Sequence, residues 1–134
     1  MTVVDASAVV EMLLRTPLGE RCSDRLLTEG EALCAPHLLD IEVAQVLRRF
    51  AERGELTSER GSQALRDLAD LPVSRYPHGP LLERVWELRH SVSAYDAVYV
   101  ALAEALDAPL VTCDGRVARA HGHQARVETL TERG

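Results

Sequence analysis

Short apolar runs set between helix-length stretches constrain this chain more than any other feature. Thr2-Val3-Val4, Ala32-Leu33-Cys34-Ala35, Pro72-Val73-Ser74-Arg75-Tyr76 and Leu110-Val111-Thr112 read as strands, and Arg126-Val127-Glu128 as a candidate fifth. Between them lie stretches with helical signals. Ala6 to Leu14 is one, broken at Thr16-Pro17. Leu18 to Thr28 is another, with Gly30 beyond its end. Leu38 to Arg53 carries an apolar stripe at Leu39, Val43, Val46, Leu47 and Phe50 and stops at Gly54. Thr57 or Ser58 caps a helix to about Asp70, Leu81 to His90 forms the next, and Ser93 caps one reaching about Leu106. Strands alternating with helices of this length imply βαβ units. The fold class is therefore α/β, a mostly parallel sheet flanked by helices on both faces.

No linker or repeat divides the 134 residues, which are expected to form a single domain, 1–134. Nearly half the residues are hydrophobic, enough for one core and too many for a disordered chain. No apolar run is long enough for a membrane span. Asp5 interrupts the apolar start with no basic residue before it, so a secretory signal is not expected. Cys22, Cys34 and Cys113 are odd in number and widely spaced, which argues against a disulfide framework or a zinc site and fits a reducing cytoplasm.

In an open parallel sheet the functional crevice lies beyond the carboxyl ends of the strands. Asp5 and Asp114 fall at two such ends. Glu42 has Leu38, Leu39 and Val46 as its helical neighbours, unusual company for a solvent-facing acid. Asp96 opens a helix in the apolar setting Ala94-Tyr95-Asp96-Ala97-Val98-Tyr99. Each has a plainer reading. Asp5 caps the next helix, Asp96 completes a capping box with Ser93, Asp114-Gly115 makes a turn, and Glu42 snorkels to solvent. These roles are compatible with a shared site.

Four converging carboxylates cannot all stay ionised without a cation. Two unit charges about 4 Å apart repel by roughly 4 kcal/mol at an effective dielectric of about 20. Hard oxygen donors select Mg²⁺ or Mn²⁺, which activate water for in-line phosphoryl displacement. A bound cation also reconciles a net charge of −6 with a polyanionic substrate.

Three segments resemble motifs of the PIN-domain ribonucleases. They are Val3-Val4-Asp5-Ala6-Ser7-Ala8, Ser93-Ala94-Tyr95-Asp96-Ala97-Val98-Tyr99-Val100-Ala101 and Pro109-Leu110-Val111-Thr112-Cys113-Asp114-Gly115-Arg116. Glu42 stands where that family carries its helical acid, and the length is similar to that of stand-alone VapC toxins. The resemblance implies a PIN-like fold and a Mg²⁺- or Mn²⁺-dependent endoribonuclease that cuts RNA with metal-activated water. It implies Asp5, Glu42, Asp96 and Asp114 as catalytic and metal-binding residues, with Ser7 and Thr112 hydrogen-bonding those carboxylates, a local bond to backbone being the plainer reading of either hydroxyl. Arg116 is a candidate for substrate phosphates, with an ordinary solvated charge as its plainer reading. The implied partners are an RNA substrate and a cognate VapB-like antitoxin, in a homodimer or a hetero-oligomer.

Receiver domains and haloacid dehalogenase phosphatases also place aspartates at strand ends. Both need a lysine, and this chain has none; the phosphatase also needs an Asp where Ser7 stands. A housekeeping RNA-processing nuclease without antitoxin stays open. A silent PIN-like binding module would lack at least one acid, and all four are present. Arg48, Arg49 and Arg53 are expected to form surface salt bridges with Glu52 and Glu55. Trp86 is expected in the core or an interface, and the low aromatic content speaks against recognition by base stacking.

Overall fold

In the computed structural model, residues 1–132 are described. Five strands form one sheet: β1 (Thr2–Val4), β2 (Leu33–Pro36), β3 (Val73–Tyr76), β4 (Leu110–Thr112) and β5 (Val127–Thr129). All neighbours pair in parallel, in the order β3-β2-β1-β4-β5. The chain steps outward from β1 through β2 to β3, then returns to the other side of β1 for β4 and β5. The order therefore reverses between β1 and β4, where ligand crevices open in folds of this kind.

The helices are α1 (Ala6–Leu14), α2 (Pro17–Leu26), α3 (Leu38–Glu52), α4 (Ser58–Asp70), α5 (Leu82–Glu87), α6 (Ala94–Leu106) and α7 (Gly115–Arg119). Their starts follow the sequence closely. Asp5, Thr16, Thr57, Ser93 and Asp114 each accept a backbone N–H as N-caps. The chain leaves α3 through Gly54 at a φ of 74°, a left-handed conformation that costs glycine least.

Central strands buried on both faces read as unbroken apolar runs. Val3, Val4 and Val111 are fully buried for that reason. α6 lies over the sheet with Ala97 to Ala103 all buried, and α3 contributes Leu39, Val43 and Leu47 to the same core. Each such Val or Leu is worth about 1.5–3 kcal/mol against exposure. Three ion pairs tie distant elements: Arg25 of α2 to Glu128 of β5, Arg75 of β3 to Asp40 of α3, and Arg84 of α5 to Glu104 of α6.

Some expectations are corrected. The helix expected over Leu81 to His90 is a 3₁₀ turn, Gly79–Leu81, followed by the short α5. β5 sits one residue later than expected, because its register against β4 pairs Leu110 with Val127. α7 was not expected. Trp86 is not in the core: it is 67% exposed, with the Arg89 guanidinium 4.6 Å from its ring centre. Among the described residues, Arg48, Arg49 and Arg53 form no ion pair with Glu52 or Glu55. No described helix is long and apolar enough to cross a membrane.

Candidate active site

A cavity of about 560 Å³ opens beyond the carboxyl ends of β1 and β4. Asp5, Glu42, Asp96 and Asp114 all line it, as do Ser7 and Arg116. The four acids come from four separate places in the chain. Asp5 is the first residue after β1, and Asp114 lies two beyond β4. Glu42 is on α3, and Asp96 is in the first turn of α6.

Asp5 is the most tightly held. It caps α1, with its Oδ1 accepting the Ala8 N–H at 3.2 Å and the Ser7 hydroxyl at 2.6 Å. Its Oδ2 accepts the Thr112 hydroxyl from β4. A carboxylate offers about four acceptor positions, so these three donors leave one free. The cap and the site are one arrangement. Ser7 and Thr112 are braced in turn: the Cys113 N–H donates to Ser7 Oγ at 2.9 Å, and the Asp114 N–H to Thr112 Oγ1 at 2.9 Å. Both hydroxyls thus do what the sequence suggested, binding the acid from behind.

Asp96 is held by its helix. Ser93 Oγ accepts the Asp96 N–H at 3.2 Å, while the half-buried carboxylate lines the cavity. Among the described residues the carboxylate returns no bond to the Ser93 N–H, so only half a capping box forms. Glu42 is half-buried beside Tyr99, whose own hydroxyl is buried without a partner in hydrogen-bonding geometry. Asp114 caps α7 and takes the Arg116 guanidinium through Nε at 3.0 Å and Nη2 at 2.6 Å.

The electrostatics divide the acids. Burial pushes Asp5 above the usual carboxylate range, against the pull of Ser7 and Thr112. Burial raises Glu42 most, with Asp96 and Asp5 adding repulsion. Asp96 is raised by burial and then by Asp114. Asp114 alone is lowered, because Arg116 neutralises it. Arg49 and Arg116 only partly offset the rise at Glu42 and Asp96, and no cation offsets it at Asp5.

No three Asp, Glu, His or Cys side chains among the described residues converge closely enough to cage an ion by themselves. Mg²⁺ does not require that. It keeps several waters and is held by one or two carboxylates together with substrate phosphate. The hard carboxylate oxygens of Asp5 and Asp96, both on the cavity wall, fit such an open site, and Mn²⁺ accepts the same donors.

The cavity also holds residues that the acid pattern missed. Gln45 and Arg49 follow Glu42 at three and seven positions, and Tyr99 follows Asp96 at three. Helical spacing from the acids was the signal that would have found them. Arg49, expected in a surface salt-bridge network, lines the cavity instead. Ile41 and Tyr95, each immediately before an acid, complete the rim.

A parallel sheet with an acidic crevice at its switch point places the chain in the class of open-sheet α/β folds. The chain belongs within it to the PIN domain family, which it matches over residues 2–122, and there to the VapC group. It is 42% identical to Ribonuclease VapC12 of Mycobacterium tuberculosis over 97% of this chain and 99% of that protein. It is 49% identical to Ribonuclease VapC1 of the same organism, over 96% of each chain. Among solved structures, PAE2754 from Pyrobaculum aerophilum superposes with a TM-score of 0.68 at 25% identity, covering 94% of this chain and 81% of that one. VapBC2 from Rickettsia felis, bound to a DNA fragment from its promoter, shares the fold at a TM-score of 0.70 and 12% identity, covering 97% and 98%.

Proposed function

We propose that this protein is a Mg²⁺- or Mn²⁺-dependent endoribonuclease and the toxin of a toxin–antitoxin pair, held inactive by a cognate antitoxin. The observation that carries the reading is the shared crevice of Asp5, Glu42, Asp96 and Asp114 at the β1/β4 switch point. The VapC relatives, named as ribonucleases and matched over nearly their whole length, support the substrate class.

Asp5 and Asp96 are the residues that would hold the cation. When bound, it supplies a lowered water pKa and positive charge against the phosphate oxygens. Asp5 keeps its orientation through Ser7 and Thr112, and its carboxylate, on the cavity wall, would be one of the groups to hold the cation. Glu42 faces the same cavity with a raised affinity for protons, which suits it to accept one from the attacking water. Arg116 spans the gap between Asp114 and solvent and is placed to hand its charge to an incoming phosphate. Attack by water forms one P–O bond as the bond to the leaving ribose oxygen breaks. No covalent enzyme intermediate is needed.

The test is cleavage of total RNA by purified protein with Mg²⁺ or Mn²⁺, with EDTA, and by Asp96→Asn. Discrete fragments that require both the cation and Asp96 are expected. A folded wild-type protein that leaves RNA intact in both cations would overturn the nuclease reading. For the toxin role, expression alone is expected to arrest growth and Asp96→Asn to relieve the arrest. Normal growth under active enzyme would favour a housekeeping nuclease.

A further inference from the structure

Tyr95 is 62% exposed although its helix is otherwise among the most buried in the protein. It occupies the first turn of α6, directly before Asp96, and lines the acidic cavity. Ile41, 69% exposed, holds the matching position on α3 directly before Glu42. Two large apolar side chains thus stand in solvent on the wall of one charged crevice. Neither contributes to the core, and water is a poor environment for both.

We propose that Tyr95, with Ile41 on the same cavity wall, is a stacking platform for an unpaired base of a single-stranded RNA substrate, and so a specificity-determining residue. The proposal rests on the nuclease reading and names the substrate form that the site takes. Tyr95 and Asp96 both line this cavity from the first turn of α6. The platform therefore addresses the nucleotide next to the phosphate held at the acids, not a remote one. Every base has a π-face, and an aromatic ring recognises it only when the base is unstacked. A paired base in an A-form helix offers no such face. The same cavity carries Arg49 and Arg116, cations suited to the flanking phosphates. An RNA strand satisfies apolar platform, arginines and acids together. The low aromatic content does not count against this, because one aromatic in the right place suffices.

The experiment measures kcat and KM for Mn²⁺-dependent cleavage of a single-stranded oligonucleotide by wild type, Tyr95→Phe, Tyr95→Ala and Trp86→Ala. Tyr95→Ala is expected to raise KM by about 5- to 150-fold with kcat little changed, the span that loss of one base–aromatic stack implies. Tyr95→Phe keeps the ring and the wild-type KM. Trp86→Ala removes an equally exposed aromatic outside the cavity and changes neither constant. An abasic nucleotide beside the cut should raise the wild-type KM but add nothing to Tyr95→Ala, since the two changes delete one contact. A wild-type KM for Tyr95→Ala, or additive effects in that cycle, would overturn the platform. If wild type cuts no RNA, the nuclease reading falls separately. Fluorescence anisotropy with the same labelled oligonucleotide then decides the platform, by whether Tyr95→Ala binds it more weakly than wild type.

Discussion

The Thr112 hydroxyl on β4 donates to the carboxylate of Asp5, 107 residues earlier in the chain. The bond crosses the line where the strand order reverses, so the sheet's topology and the orientation of the site are one relationship. Thr112 also accepts the Asp114 N–H. Thr112→Val keeps the shape and removes both bonds, leaving buried polar atoms unpaired. We expect a loss of about 1–3 kcal/mol in urea unfolding. RNA cleavage should fall by roughly 10- to 100-fold, with Thr112→Ser close to wild type in both. A Thr112→Val protein with unchanged cleavage would show that the bond does not orient Asp5.

Cation binding has a readout that needs no RNA. Asp5 and Asp96 come to one cavity from separate elements, so an ion held by both binds the folded state alone. The thermal midpoint of wild type should climb with Mn²⁺. Saturation at a hundred times Kd corresponds to about 2.7 kcal/mol. Asp96→Asn should respond much less. A wild-type midpoint indifferent to Mn²⁺ would count against the ion site.

A pH effect is expected far from the crevice. The Arg84 guanidinium, 2.8 and 3.0 Å from the two carboxylate oxygens, holds Glu104 below its usual value, and the Gln124 N–H adds to this. A carboxylate depressed by folding stabilises the fold above its unfolded value of 4.5, and that stability is lost as pH falls through the lower folded value. Arg84→Met should therefore cost about 1–2 kcal/mol at pH 7. The difference from wild type should shrink once the pH drops below 4.5. A difference that stays constant with pH would mean Arg84 acts through packing alone.

Gly19 is where α2 rests on α1. A methyl group there would run into the Glu11 carbonyl, which is backbone and cannot swing aside. Gly19→Ala should destabilise by about 3 kcal/mol, the upper end for overpacking, although alanine is the better helix former. A neutral or stabilising result in thermal unfolding would mean the two helices are free to part.

Much of this was legible in the chain. Strand runs such as Val3-Val4 and Leu110-Val111, and caps such as Ser93 and Thr57, are local signals that the sheet does not contradict. The four acids were legible because each is out of place locally: at a strand end, on an apolar helix face, or in an apolar first turn. Convergence in one cavity then follows from parallel topology. α7 was missed because its five residues are too short for periodicity and begin with Gly115. Trp86 was read as core or interface, and the core reading fails because a helix of six residues, Leu82–Glu87, has too few positions to say which face is buried. Arg49, expected in a surface salt-bridge network, and Tyr95, read only as the setting of Asp96, were not recognised as lining the site. Exposure depends on how α3 and α6 meet across the crevice, and no single helix records that.

The central claim is that the crevice acts on RNA through its acids as a set. The measurement that tests it most directly is RNA cleavage in Mn²⁺ by Asp5→Asn, Glu42→Gln, Asp96→Asn and Asp114→Asn, each checked for folding by circular dichroism. Losing several kcal/mol of charge stabilisation corresponds to at least about a hundredfold in rate, and each variant is expected to fall that far. Near wild-type cleavage by folded Asp5→Asn or Asp96→Asn would contradict the account.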